Sequence, residues 1–369
     1  MTTHALRYRL VYIILIALVS GYVLVIFVRP VEQPFGPKSI RFSLGINQTS
    51  VARFMDMVNG RAYKPFAYRA LLPSTVRFLS SATPASFRLG LTDFVENHYF
   101  TKKVFEKLGW EMYAAYPYLL ACVLMWLSYI GFAHFSSKLI ILTCKIQETF
   151  FWRSALAVLA LLGLPPFFKY GSFVYDPPQL FLFTAALFFI ASKKLISFLL
   201  IFPFACVNKE TAVLLIPVSW FVWRNSCSRR KLVAILVGMV CTYVIVKGSI
   251  TYVFHNNPGS FVQFHLLDHN IRAIIHGWGF TGALVWLGLL LLLSYKWQQK
   301  AYFLRVSFAC ILLPQVGLAL FIGLLDEWRG YYEAYPIALG LITDSVLRIR
   351  TALENNTENV LIANGRKDS

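Results

Sequence analysis

Long apolar blocks separated by short polar breaks dominate the chain. Residues 10–28 run without a charge behind Arg7 and Arg9. At about 1.5 Å per helical residue that block nearly matches a hydrocarbon core of about 30 Å. Similar blocks follow at 112–137, 154–168, 178–192, 195–207, 211–223, 232–246, 277–295 and 306–325. A weaker one at 331–347 is bracketed by Glu333 and Asp344. The pattern predicts an all-α polytopic membrane protein with about 10 transmembrane helices. Blocks 195–207 and 211–223 give only about 20 Å of helix each, too short to span comfortably. They meet at Asn208-Lys209-Glu210-Thr211, so two ionisable groups are predicted below the membrane surface. Such groups are costly unless they pair or face a wet cavity.

Four regions follow from this pattern. Residues 1–28 are a cytoplasmic N-terminus and first transmembrane helix, read as a retained signal anchor. Residues 29–111 form a long extracytoplasmic loop, in which 71–87 is predicted as an amphipathic interfacial helix. Residues 112–350 form the multi-helix domain, and 351–369 a polar cytoplasmic tail.

Composition agrees: 57% of residues are hydrophobic, 14% are charged and the mean hydropathy is +0.60. In such a chain the net charge of +18 describes topology, not nucleic-acid binding. With a cytoplasmic N-terminus and alternating spans, 18 Lys/Arg fall on the cytoplasmic side and 5 in the short loops opposite, as the positive-inside rule requires. Both termini are then cytoplasmic. The long first loop holds 12 Lys/Arg and 6 Asp/Glu. The six cysteines show no CxxC spacing, which predicts neither a disulfide framework nor a zinc cluster.

Chemistry concentrates on the extracytoplasmic face. In the long loop, basic and aromatic residues alternate from Tyr63 to Arg69, suiting anionic lipid headgroups or a pyrophosphate, although interfacial snorkelling explains them equally. Asp176, in Tyr175-Asp176-Pro177-Pro178, reads as a helix start, with capping as the structural explanation and a base or metal-holding carboxylate as the functional one. Lys209 and Glu210 form either ion pairs with other helices or a substrate or proton site. Asp326-Glu327-Trp328-Arg329 combines carboxylates, a cation and an aromatic at a membrane boundary. His265 and His269, with Asp268 nearby, form a weak metal pattern. No cofactor is assigned, and a divalent metal is the one candidate.

A cytoplasmic amino terminus, one span, a long outer loop with interfacial helices and many further spans resembles the GT-C superfamily of lipid-linked-sugar glycosyltransferases. Residues 65–73 (Pro-Phe-Ala-Tyr-Arg-Ala-Leu-Leu-Pro), Asn208-Lys209-Glu210-Thr211 and Glu327-Trp328-Arg329 are also similar to recurring segments of bacterial membrane proteins of that kind. The resemblance implies sugar transfer from a polyprenyl phosphate at the extracytoplasmic face of a bacterial inner membrane. Asp56, Asp176 or Glu210 would be the base, and Tyr68, Arg69, Lys209, Glu327 and Arg329 would bind substrate. The implied partners are membrane lipids, the lipid-linked sugar and envelope-assembly proteins, with no nucleic acid. The chain departs from the pattern early in the outer loop, where an acidic residue is expected and Ile46-Asn47-Gln48-Thr49 stands instead. A carrier or flippase for a lipid-linked saccharide or other anion, and a noncatalytic envelope-assembly subunit, are the alternatives.

Overall fold

A computed structural model describes residues 3–29, 31–32, 41–42, 53–168, 173–260, 270–271, 280–325 and 327–365. Among these the chain is helical, apart from a two-residue antiparallel pairing of Val31–Glu32 with Arg41–Phe42. The first helix is α1 (Thr3–Val28). The long loop contributes α2 (Phe54–Val58), α3 (Leu71–Ala82), α4 (Ala85–Asn97) and α5 (Tyr99–Leu108). There follow α6 (Ala115–Cys144), α7 (Phe150–Leu162), α8 (Asp176–Ala191), α9 (Leu195–Asn208) and α10 (Leu215–Trp223). The remaining helices are α11 (Arg229–Val253), α12 (Phe280–Ser294), α13 (Tyr302–Phe321) and α14 (Tyr335–Gly365).

Among the described residues, five helical segments are long and apolar enough to cross a membrane: Arg7–Val28, Met112–Cys144, Phe150–Phe168, Arg229–Val253 and Tyr302–Phe321. Asp176–Ala191, Leu195–Asn208, Glu210–Trp223 and Leu284–Ser294 are apolar but shorter. The expected helix over 71–87 is in fact two, because the chain turns extended at Thr83 before Pro84. The expected span 232–246 also continues to Val253, which puts Lys247 on the helix and not in a loop.

At the centre lies α8, apolar around its circumference and buried on nearly every side, as a helix without a polar face must be. Its main neighbour is α6. At Gly131 of α6, an added Cβ would stand 2.5 Å from the Phe181 ring of α8. Gly131→Val is therefore expected to destabilise the bundle by about 1–3 kcal/mol through overpacking. Thermal unfolding of the detergent-solubilised protein measures this, and an unchanged midpoint would contradict the packing.

The short helices α9 and α10 form a hairpin. Phe198, near the start of α9, meets Trp223, at the end of α10, with ring centroids 5.4 Å apart. Trp223 Nε1 also donates to the Ile190 carbonyl at the end of α8, at 3.2 Å. The apex is therefore at the opposite end, where Lys209 takes an extended conformation (φ −154°, ψ 148°) and interrupts the helix. The α8 N-terminus lies beside it: Asn208 Nδ2 donates to the Tyr175 carbonyl and to Gln179 Oε1, each at 3.0 Å.

Candidate functional site

The hairpin apex opens into a cavity of about 420 Å³ at the end of the bundle that carries the α8 N-terminus. Tyr243, Lys247 and Thr251 of α11 and Gln315 of α13 supply part of its polar lining, and four other parts of the chain supply the rest. The turn Phe66–Tyr68 before α3 brings Tyr68 and Arg69, and α8 brings Asp176. The apex gives Lys209, Glu210 and Thr211, while the segment before the short helix Trp328–Tyr331, and that helix itself, give Glu327 and Arg329. Ile250 of α11 and Leu318, Ala319, Ile322 and Leu324 in and after α13 form an apolar wall. Of the five membrane-length segments, those containing α11 and α13 are the least buried, so this wall stands between helices that face the surroundings.

Seven of the eight candidate site residues thus come together. Asp56 does not line the cavity; it sits in α2, where its backbone carbonyl accepts from Arg61 and Ala62 at 2.7 and 3.1 Å. His265, Asp268, His269, Asp326 and residues 46–49 lie outside the described residues. Among the described residues, no three His, Cys, Asp or Glu side chains gather into a metal-holding group.

Arg69 is held from two sides. One guanidinium nitrogen meets Glu210 Oε1 at 3.0 Å, another donates to the Tyr175 hydroxyl, and the group lies 4.5 Å from the Tyr175 ring centroid. Burial works against its charge, but Glu210, with Tyr175 and Asp176, more than offsets that, and its pKa is raised. Arg329 is built alike. It bonds Glu327 and lies 4.0 Å over the Phe173 ring; burial works against its charge, but Glu327, Tyr175 and Asp176 together outweigh it and the pKa is raised. Two permanently charged, planar donors therefore stand at the cavity, suited to a phosphate.

Asp176 is only 2% exposed and begins α8, where the helix dipole favours a negative charge. Its Oδ2 accepts the Phe173 N–H at 2.9 Å, a bond within the turn leading to the helix. Lys209 is 7% exposed and reaches the opposite way, with its Nζ 3.0 Å from Glu333 Oε1.

Glu333 is the residue that sequence reasoning undervalued. At 1% exposure it accepts from Lys209, from Thr211, from Gln179 at 3.1 Å and, through its other oxygen, from Gln315. A buried carboxylate is tolerable only with this degree of satisfaction. Its sequence signals are a carboxylate inside an otherwise apolar block and its nearness to Asp326-Glu327-Trp328-Arg329 at the outer boundary, neither of which specifies a buried partner. Gln179, one turn into α8 from Asp176, and Gln315 in mid-helix gave no signal stronger than an isolated polar residue.

A smaller cavity of about 250 Å³ adjoins the first and shares Pro65, Arg69 and Arg329 with it. Tyr63, Lys64, Gly259 and Ser260 complete its rim. The segment after α11 is pinned to the long loop there: Asn257 Nδ2 donates to the carbonyls of Gly60 (2.9 Å) and Ala62 (2.7 Å), and the Lys64 N–H donates to the Pro258 carbonyl (2.8 Å). Gly259 has φ +102°, and an added Cβ would stand 2.8 Å from the Lys64 carbonyl oxygen, so only glycine fits this approach.

No protein-family model, curated protein or solved structure matches the chain.

Proposed function

We propose that the chain is a membrane glycosyltransferase of the lipid-linked-sugar type, moving a sugar from a polyprenyl-phosphate donor to an acceptor at the extracytoplasmic face. The supporting observation is the joining of one apolar wall, two desolvated guanidinium groups and a buried carboxylate around a single cavity. The wall suits an isoprenoid tail, Arg69 and Arg329 suit its phosphate, and Asp176 suits the acceptor hydroxyl. In this reading the acceptor oxygen attacks the anomeric carbon while the bond from that carbon to the phosphate oxygen breaks. The electron pair leaves with the polyprenyl phosphate, and the hydroxyl proton passes to Asp176. Glu210 is the weaker candidate for base because Arg69 already neutralises it.

The finer topology belongs to the same reading. The shorter apolar helices and the first part of α14 bring the membrane segments to about ten, in a bacterial inner membrane with both termini cytoplasmic. Membrane lipids, the lipid-linked sugar and envelope-assembly proteins are then the partners.

A carrier draws less support, because the buried side chains of Asn208, Gln179, Gln315 and Glu333 beside the cavity tie α8, α9, α13 and the segment leading into α14 together through hydrogen bonds. The test is transfer of labelled sugar from a polyprenyl phosphate pool in membranes containing the protein. An Arg69→Ala, Arg329→Ala double variant is expected to lower the rate on the order of 10²-fold or more, through lost stabilisation of the leaving phosphate. Wild-type turnover by that variant would sink the assignment. Uptake of a lipid-linked saccharide into vesicles without transfer would move the reading to the carrier class.

A further inference from the structure

Three ion pairs account for most of the charge at the main cavity: Arg69 with Glu210, Arg329 with Glu327, and Lys209 with Glu333 beneath. Two groups are left over. Asp176 accepts the Phe173 N–H and forms no ion pair among the described residues. Lys247 lines the cavity from α11, and its Nζ is buried without a hydrogen-bond partner among the described residues. An ammonium in that position is costly, and an anion arriving in the cavity relieves the cost.

The face that carries Lys247 is fixed. Tyr243, Lys247, Ile250 and Thr251 all line the cavity, at the spacing of one helical stripe. One turn before Lys247, the Tyr243 hydroxyl donates to the Glu210 carbonyl at 3.2 Å and ties α11 to the hairpin apex. Lys247 is thus held on the side of the cavity that also carries the apolar wall, where the phosphate of a tailed substrate would lie.

We infer that Lys247 is a further phosphate-binding cation for the lipid donor, beside Arg69 and Arg329, and that it favours a monoanionic phosphodiester over a diphosphate. The inference rests on reading the cavity as a lipid-phosphate site. Lys247 is the one lining cation held in no ion pair among the described residues, with Glu210 acting on it across the cavity, so it can turn to one negative charge while Asp176 takes the acceptor's proton. A diphosphate brings further negative charge, for which the remaining lining cations, Arg69, Arg329 and Lys209, are already shared with carboxylates. During transfer the departing phosphate passes from a diester to a monoester, so the new negative charge develops beside Lys247 and Arg69.

The test uses the full-length protein in detergent, titrated with methyl farnesyl phosphate, a phosphodiester, and with farnesyl diphosphate. Wild type is expected to bind the diester at least tenfold more tightly than the diphosphate. Lys247→Met, which keeps the length of the side chain and removes its charge, is expected to weaken diester binding at least tenfold, a difference of about 1.4 kcal/mol. Lys247→Arg should retain most of the affinity. Diester binding unchanged in Lys247→Met, a preference for the diphosphate, or no binding of either probe by wild type would each overturn the inference. Should Lys247→Met lose its thermal transition, Lys247→Gln is measured in its place and read the same way. Because binding needs no turnover, the two readings fail separately. Lys247-dependent binding without sugar transfer removes only the transferase reading. Transfer by Lys247→Met at an unchanged KM removes only the role of Lys247.

Discussion

Replacing Asp176 with Asn is expected to slow sugar transfer by roughly 10²–10⁴-fold, the range that a positioned general base contributes. The substitution keeps the side chain's shape and its amide oxygen, which still accepts the Phe173 N–H that holds Asp176 in place at 2.9 Å. The thermal midpoint should therefore hardly move. This separates chemistry from capping, because a purely structural carboxylate would yield a change in stability and little change in rate once folded. Glu210→Gln is the matched control. It still accepts a hydrogen bond from Arg69 at the exposed edge of the cavity, so its main effect should fall on substrate affinity. A large rate loss in Glu210→Gln with normal turnover in Asp176→Asn would exchange their roles.

Glu333→Leu is expected to be the most destabilising of these changes, at about 3–5 kcal/mol, because it leaves the Lys209 ammonium buried without its counter-charge. The donors of Gln179, Thr211 and Gln315 lose their acceptor at the same time. The loss should appear as a collapsed yield of monodisperse protein in detergent and a lowered unfolding midpoint. Adding Lys209→Met to Glu333→Leu should restore part of the stability, since removing both charges costs less than stranding one. A double variant no more stable than Glu333→Leu would mean that the hydrogen bonds of the neutral groups dominate the site.

The placement of the helices was largely legible in the chain. The block 10–28 lies within α1, 112–137 within the segment that contains α6, and 195–207 and 211–223 lie on the two arms of the hairpin. Their lengths already marked each arm as too short to span comfortably, because helix rise is constant. The break between them was legible too, as the one place where an apolar run yields to Asn-Lys-Glu-Thr. Charge placed the site: Asp176, the apex and Glu327 to Arg329 fell on one predicted face, and all lie at one end of the bundle.

Other features were not legible, for reasons of distance and degeneracy. Lys209 and Glu333 are 124 positions apart, and Arg69 and Glu210 are 141 apart; nothing local in either neighbourhood specifies its partner. Lys247 was assigned to a loop because a charge was taken to end the span after Val246, whereas the helix continues to Val253 and turns that charge toward the cavity. Asp56 and Asp176 were equal candidates as carboxylates in polar neighbourhoods. Only the packing of α8 put the second at the cavity while leaving the first in α2, outside its lining. Periodicity and hydropathy are properties of short segments, so the sequence by itself determined which stretches are helical, where the short pair breaks and which residue types gather at one end. Pairing among buried charges depends on which helices become neighbours. The tertiary structure alone decided which of the described cations are held in ion pairs, and that Lys247 and Asp176 line the cavity without one among the described residues.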